Sequence, residues 1–255
     1  MFSKISFPAP RRQALLAAVL LATGLAGCAP AVAPGKINDP YEAQNRENHA
    51  FNIKFDSHVL KPASQAYGHA LPGPVRQGVS NLAGNLALPS YVANDLLQAK
   101  FAAAGQNTLR FAFNTIFGLG GLLNPAGALG LPAASNDFGE TLYVWGAPEG
   151  AYLEVPFLGP STQRDLAGTV VDTLADPVNS ILPQNLRGYP TAVDLASKLG
   201  TRYRYNDMIN SILYGSADSY AQERLIYLEK RHHDIGMPSP TTNFDPYEDP
   251  YANSN

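Results

Sequence analysis

The chain has 255 residues, a formal net charge of −3 at pH 7 and a single cysteine, Cys28. A mildly acidic chain offers no basic surface for nucleic acid, and one thiol excludes an internal disulfide. A chain of this length buries a substantial core without covalent staples. We therefore expect a protein that does not bind nucleic acid and folds without disulfides.

Residues 1–27 are predicted to be a targeting segment. A positively charged start precedes an apolar run at 14–27 that is too short to span a membrane as a folded helix. The run ends in the sequence LAGC at 25–28, which looks like the lipobox of bacterial lipoproteins. That resemblance implies cleavage before Cys28 and acylation of its thiol and new amino group. Because Ala29 stands where an Asp signals inner-membrane retention, it also implies an outer-membrane anchor that faces the periplasm.

Residues 28–38 form a short Pro/Ala tether, and residues 39–234 are predicted to form one helical domain. Asp39 is expected to cap the first helix, with Pro40 at its first position and Glu42 completing a capping box, and the helix to end near His58. Residues 235–255 are polar and proline-bearing and are predicted to be disordered. Proline and glycine joints separate further predicted helices at 75–86, 90–98, 166–174, 190–214 and 216–232.

A long uncharged stretch lies in the middle of the chain. Within residues 101–136, none of the 26 residues from 111 to 136 carries a charge. A spanning helix needs about 20 continuous apolar residues. Glycines and a proline interrupt this stretch where a helix has to continue, namely at Gly118, Gly120, Gly121 and Pro125. It is therefore not predicted to be a simple transmembrane span.

The first half of this stretch, 101–117, is predicted to be a helix with one narrow polar stripe. Asn107, Arg110 and Asn114 are spaced i, i+3 and i+7, which places them on one face. One interpretation is a central helix buried in a helical bundle, with Arg110 paired to a carboxylate. The other is a helix that faces lipid or protein on most sides and lines a polar path along the stripe.

An aromatic segment follows at 137–160 and contains the only tryptophan, Trp145. Residues 146–150 are predicted to be a turn and residues 152–157 to be extended, so a small hairpin is expected near 140–157. These aromatic side chains are consistent either with packing in a core or with an interfacial belt, where Tyr and Trp are enriched.

The sequence gives no sign of an enzyme, a metal site or a cofactor site. It lacks the Gly-x-Ser-x-Gly nucleophile elbow, the His-Glu-x-x-His zinc motif and a phosphate-binding loop. His49, His58 and His69 share no ligand spacing, and His232 and His233 lie at a predicted helix end. We expect no catalytic residues, no metal and no cofactor.

Short motifs cover nearly all of the chain after residue 38. They include the N-terminal helix residues Asn45, Arg46, Phe51 and Asn52, then the run at 110–121, and later 138–142, 156–161 and 216–227. In this order along a lipoprotein they resemble the MlaA (VacJ) family of outer-membrane lipoproteins. The sequence departs from the family pattern at 43–44, where members often carry Gly-Phe.

The resemblance implies an all-α fold, a ring- or doughnut-like, membrane-embedded domain of many helices with a central amphipathic channel. Such proteins lie in the periplasmic leaflet of the outer membrane, beside trimeric outer-membrane porins. They remove phospholipids that have strayed into the outer leaflet and pass them to a periplasmic lipid carrier, MlaC, which maintains lipid asymmetry. A lipoprotein that only braces a porin without moving lipid remains the alternative.

Two functional expectations follow for individual residues. The stripe of Asn107, Arg110 and Asn114 is expected to lie on the lipid path, because a guanidinium forks onto two phosphate oxygens. Glycines are expected to give the channel gate its mobility, since glycine adopts backbone states that other residues avoid. The candidate gating glycines are Gly118, Gly120, Gly121, Gly146 and Gly150.

Overall fold

The computed structural model describes residues 37–240. The targeting segment, Cys28, most of the tether and the tail from residue 241 lie outside the described residues. Within them the chain is helical apart from one two-stranded sheet, so the predicted all-α class is confirmed. The helices are α1 (Glu42–Phe55), α2 (Lys61–Ala70), α3 (Gly73–Leu97), α4 (Phe101–Ile116), α5 (Pro125–Ala128), α6 (Phe138–Val144), α7 (Gln163–Ala175), α8 (Pro177–Ile181), α9 (Tyr189–Arg204), α10 (Asn206–Gly215) and α11 (Ser219–Ile235).

The predicted hairpin exists but lies further along the chain. Strands β1 (Tyr152–Val155) and β2 (Gly159–Thr162) pair antiparallel, with Tyr152 opposite Thr162. Residues 138–144 form α6 instead of a strand, because the Asp137 side chain accepts from the Glu140 amide at 2.8 Å and caps the helix.

The first helix is longer than predicted and begins differently. A wide π turn, Asp56–Leu60, joins α1 directly to α2, so helix continues past His58 and through Pro62. A wide helical turn of this kind is one way in which a helix accommodates the loss of the backbone hydrogen bond that a proline cannot donate. The predicted Asp39 capping box is wrong, since Tyr41 occupies the cap position without a side-chain bond.

The two helices predicted at 75–86 and 90–98 are one continuous helix, α3, with Pro89 inside it. A proline in a helix interior removes one backbone hydrogen bond. Packing against α4 and α9 along its length compensates for that loss. At the other end of the chain, α11 continues to Ile235, and Gly236 ends it in the left-handed conformation at φ 70°.

The first and last helices meet at the hairpin, which closes the chain on itself. Arg46 on α1 donates to both oxygens of Asp218, just before α11, at 3.1 and 2.9 Å. Tyr152 of β1 packs edge-on to Tyr220 of α11 at 5.9 Å, and Leu228 completes this small apolar cluster. The last helix, α11, therefore stabilises the position of the first helix, α1.

The distribution of polarity is inverted relative to an ordinary soluble domain. Within residues 37–240, nineteen polar or charged residues are buried but, glycine and proline aside, only ten hydrophobic ones. Large apolar side chains instead lie on the surface, with Ile181 82% and Leu119 71% exposed. In the described part of the chain, no helix combines the length and apolar character needed to cross a membrane.

Candidate functional site

The polar stripe of α4 faces inward. Asn107 is fully buried, Arg110 is 8% exposed and Asn114 is 3% exposed. The opposite side of α4 and the turn after it carry exposed apolar side chains, including Leu109, Ile116 and Phe117. The three predicted site residues therefore share one buried face of a helix whose other face is apolar and exposed.

The stripe fastens the uncharged segment 124–136 back against α4. Asn107 donates to the Ala134 carbonyl at 2.8 Å and accepts from the Ala134 amide at 3.2 Å. Asn114 accepts from the Ala126 amide at 3.1 Å and donates to the Asn124 side chain at 3.2 Å. These side chains supply backbone hydrogen bonds to a segment that has little regular structure of its own.

Arg110 is a buried cation without a carboxylate partner. Its guanidinium donates to the Leu131 carbonyl and, at 3.2 Å, to Asn124 Oδ1, while its Nε has no hydrogen bond. Within residues 37–240 it makes no ion pair, so none of the described carboxylates is the partner predicted for Arg110. Burial lowers the pKa of Arg110 below the usual arginine value, yet a guanidinium stays protonated at neutral pH. Its positive charge therefore remains uncompensated by any described acid.

Asn124 is a site residue that the sequence reasoning missed. Its side-chain oxygen accepts from Arg110, from Asn114 and from the Gly127 amide, which it meets at 3.0 Å. The available signal was local, because an asparagine directly before Pro125 is a typical helix cap. One exposed amide thus joins the start of α5 to the polar stripe.

A second buried network extends from the stripe toward α6 and α7. Asp95 on α3 is 1% exposed and accepts from Asn107 at 2.8 Å and from Asn136 at 2.7 Å. From Asn136 the bonds continue through Gln98 to Thr141. Since both hydrogen bonds to the Asp95 carboxylate come from neutral amides, this network positions the segment without bringing an opposite charge to Asp95 or Arg110.

The glycines after α4 form a tight left-handed turn. Leu119, Gly120 and Gly121 have φ of 53°, 73° and 104° in succession. A Cβ on Gly121 would meet the Asn85 side chain at 2.6 Å, and one on Gly118 would meet the Asn114 carbonyl at 2.3 Å. The turn therefore requires glycine for close approach at 118 and 121, whereas the space around Gly120 is open.

The second pair of candidate gating glycines lies elsewhere. Gly146 and Gly150 also have positive φ, 87° and 78°, in the connection between α6 and β1. Trp145 beside them donates to the Leu97 carbonyl at 3.2 Å, whereas the first glycine turn packs on Asn85. Twelve residues of α3 separate those contacts, roughly 18 Å of helix. The two glycine segments are therefore not in contact.

An apolar cavity of about 500 Å³ opens beside the first glycine turn. Gly120 contributes to its wall, and leucines from α3 and from the chain after α8 provide most of the remaining surface. The lining residues include Leu82, Leu86, Leu122, Leu182 and Leu186. A cavity of this size and polarity accommodates part of a hydrocarbon chain.

The N-terminal helix motif supports the hairpin. Asn45 donates to the Tyr152 carbonyl at 3.1 Å and accepts from the Glu154 amide at 2.9 Å. Asn52 accepts from the amide of Phe157, a non-glycine residue at φ 67°, at 2.8 Å. Phe51 packs edge-on to the Phe157 ring at 4.9 Å. Together with Arg46, described above, these motif residues hold α1 against β1.

The aromatic segment is largely exposed. Trp145 is 56% exposed and Phe157 62% exposed. Of the two readings of this segment, core packing fits Tyr152, which is 1% exposed, but not these two residues. Trp145 and Phe157 instead add to the exposed apolar surface.

The chain resembles known lipoproteins over most of its length. The MlaA lipoprotein family matches residues 37–234. An "Intermembrane phospholipid transport system lipoprotein MlaA" from Shigella flexneri is 33% identical over 223 residues, which cover 85% of this chain and 86% of that protein. The protein of the same name from Haemophilus influenzae is 34% identical over 168 residues, covering 64% and 67%.

A solved structure has the same fold. It is described as "Structural basis for maintenance of bacterial outer membrane lipid asymmetry" and superposes with a TM-score of 0.66 at 30% identity. The match covers 77% of this chain and 98% of the solved chain. The helical fold, the family match over residues 37–234 and these relatives agree, and the chain belongs to the MlaA lipoprotein family.

Proposed function

We propose that this protein removes mislocalised phospholipids from the outer leaflet of the outer membrane and hands them to a periplasmic carrier, MlaC. The result is the maintenance of outer-membrane lipid asymmetry. The names of the relatives, which refer to intermembrane phospholipid transport, support this proposal. They describe transport and not catalysis, and we assign no catalytic residue.

The observation that carries the proposal is the inverted polarity of the domain. An apolar surface as extensive as this one needs an apolar environment or a protein partner. A helical domain with an apolar exterior but without a spanning helix fits one membrane leaflet and its interface. We infer that the exposed side chains around Ile116–Leu119, Ile181 and Trp145 contact acyl chains and a trimeric porin.

The lipid path is assigned to the buried face of α4 and the adjacent cavity. A phospholipid presents one phosphate and two hydrocarbon chains, so its path requires a few polar groups beside apolar walls. Arg110 supplies an uncompensated positive charge, to which a phosphate binds through charge-assisted hydrogen bonds. Asn107 and Asn114 hold the adjoining segment, and the cavity beside Gly120 receives part of an acyl chain.

Gating is assigned to the glycine turn after α4. Gly120 has positive φ and free space around it, while Leu119 beside it is 71% exposed. A change of backbone conformation at Gly120 moves one wall of the apolar cavity. Gly146 and Gly150 form a separate hinge next to Trp145, and the two act independently because no contact joins them.

Cys28 is assigned as the acylated anchor on the periplasmic side of the outer membrane. Two or more acyl chains anchor a protein stably, whereas one chain gives marginal binding. A Cys28→Ala variant is expected in the soluble periplasmic fraction. Recovery of that variant in the outer membrane at the wild-type level would contradict the assignment.

The first experiment measures phospholipid exposed in the outer leaflet of a deletion strain. Exposure is expected to rise on deletion, to return to the original level with the wild-type gene, and to stay high with Arg110→Leu. Arg110→Lys is expected to restore the barrier in part, because it keeps the charge but loses the fork. Unchanged exposure on deletion would favour the alternative, a lipoprotein that braces a porin.

Gln106→Ala is the matched control for the role of the Arg110 charge. Gln106 donates to the Pro132 carbonyl at 2.6 Å, so it holds the same segment as Arg110 but is neutral. If the charge is what matters, Gln106→Ala restores the barrier and Arg110→Leu does not, with melting temperatures alike. Equal loss in both variants would assign the effect to the packing of the segment. Full restoration by folded Arg110→Leu would exclude Arg110 from the path.

A further inference from the structure

Three ionisable side chains that lie far apart in the sequence meet between α1, β1 and α11. His49 Nδ1 lies 3.0 Å from Glu223 Oε2 and 3.8 Å from Glu154 Oε1. The His49 and Glu154 side chains are 5% and 0% exposed, and Glu223 is 27% exposed. Spacing along the chain did not reveal this group, because each residue comes from a different element.

A hydrogen bond at Nε2 orients the ring of His49. Nε2 lies 2.9 Å from Ser219 Oγ, and a proton on Nε2 donated to that hydroxyl leaves the Nδ1 lone pair directed into the cluster. Nδ1 has no hydrogen bond of normal geometry, although it is buried. A buried imidazole nitrogen that lies 3.0 and 3.8 Å from two carboxylate oxygens, in poor hydrogen-bond geometry, is an arrangement suited to a cation.

The carboxylate of Glu154 is held by neighbours in the way that metal ligands usually are. Asn52 donates to its Oε1 at 2.7 Å, and the Tyr152 hydroxyl donates to its Oε2 at 2.8 Å. Such outer contacts fix the direction of a ligand and are a regular feature of metal sites. They also leave lone pairs of Oε1 available toward His49.

We propose that His49, Glu154 and Glu223 bind one divalent cation, and that Zn²⁺ is the ion the donor set prefers. The three ligand atoms all lie within 4.8 Å of one another. An ion among them is then within about 2.8 Å of each, and zinc bonds of about 2.0–2.2 Å need a contraction of less than about 1 Å. Two carboxylates and a neutral imidazole carry a charge of −2, which a divalent ion balances.

A bound ion would cross-link α1, β1 and α11 where the first and last helices meet. Its ligands come from the helix that follows the anchor, from the hairpin and from the last helix, so one ion joins all three. Glu223 is the most exposed of the ligands and provides the route of entry. Three protein ligands leave further positions for water, as open zinc sites do.

A proton is the competing occupant of the same place. Burial opposes protonation of His49, but Glu154 and Glu223 outweigh it and raise the pKa of His49 to about 9. Zinc therefore has to displace this proton in order to bind.

The test uses the full-length chain, purified in detergent and freed of metal with a chelator. Zn²⁺, Mn²⁺ and Ca²⁺ are each added alone while the melting temperature is recorded, and bound metal is counted by equilibrium dialysis. We expect one Zn²⁺ per chain. At a free concentration of roughly 100 times the dissociation constant, the melting temperature should rise by about 5–10 °C.

Glu223→Gln is the main variant, because Glu223 is the least buried ligand and the substitution keeps its shape. It should abolish the zinc-dependent rise while the metal-free protein still melts cooperatively. His233→Ala is the matched control, since His233 lies on the same helix and its side chain is 90% exposed. That variant should retain the full rise. If Glu223→Gln fails to fold, His49→Gln takes its place.

Two results would overturn the proposal. One is the absence of any zinc-dependent shift in the wild-type protein, which would leave the proton as the occupant. The other is a shift of equal size in Glu223→Gln, which would place the zinc elsewhere. Both are independent of lipid transport, so they can be distinguished from failure of the proposed function.

Discussion

Asn45→Ala tests how the hairpin is held against the first helix. Asn45 is 2% exposed, and its side chain makes three hydrogen bonds. It donates to Asp39 Oδ1 at 2.8 Å and to the Tyr152 carbonyl at 3.1 Å, and it accepts from the Glu154 amide at 2.9 Å. Alanine removes all three and leaves two buried backbone groups without partners.

The expected loss of folding stability is large for a single side chain. A typical buried hydrogen bond contributes about 0.5–1.5 kcal/mol, a charged one about 1.5–3, and an orphaned buried group adds its desolvation cost. Because these contributions overlap, we expect Asn45→Ala to lower the free energy of unfolding by about 3–5 kcal/mol. For a domain of this size that corresponds to a fall in melting temperature of roughly 10 °C.

The assay is thermal and urea unfolding of detergent-solubilised protein, followed by far-UV circular dichroism. Asn48→Ala is the matched control, because Asn48 lies on the same helix and donates to the same strand through one bond, to the Glu154 carbonyl at 2.8 Å. It should cost about 1 kcal/mol. If Asn45→Ala costs no more than Asn48→Ala, the reasoning that the motif asparagine fastens β1 is refuted.

Three further predictions concern stability. Arg202 donates to both oxygens of buried Asp56 at 2.9 Å, so Arg202→Met strands a buried charge and should cost about 3–5 kcal/mol in urea unfolding. Burial raises the pKa of Asp56, but hydrogen bonds from Arg202 and Tyr214 outweigh it and lower that pKa below 3.8. The stabilisation by the pair is therefore complete above pH 3.8 and is lost as the pH falls through the lowered pKa. Asp56→Asn should flatten this acid limb of a plot of unfolding free energy against pH. Gly118→Ala places a Cβ 2.3 Å from the Asn114 carbonyl and should lower the melting temperature. The Cβ of Gly120→Ala meets no neighbour, so this variant should cost only about 1 kcal/mol of stability for its positive φ. Equal effects of the two variants would contradict the close approach at Gly118.

Local features of the fold could be read from the sequence. The central helix, the hairpin, the glycine interruption and the polar stripe each depend on residues within a few positions of one another, and the structure has all four. The capping prediction at Asp39 failed for an instructive reason. The carboxylate accepts from the side chains of Asn45, Tyr220 and Arg224 instead of from a backbone amide of the first turn of α1. Tyr220 and Arg224 lie more than 180 residues away, and no local pattern reports such partners.

The sequence by itself indicated the family through the order of its motifs. It also determined the helical class and the inward-facing polar stripe of α4, because periodicity and turn chemistry act within one or two turns of the chain. Only the tertiary structure decided what the polar residues contact. It gave Arg110 neutral acceptors instead of a carboxylate, separated the two glycine segments along α3, and brought His49, Glu154 and Glu223 together. Those outcomes depend on how whole elements pack, and a buried polar group takes whichever partner the packing places beside it.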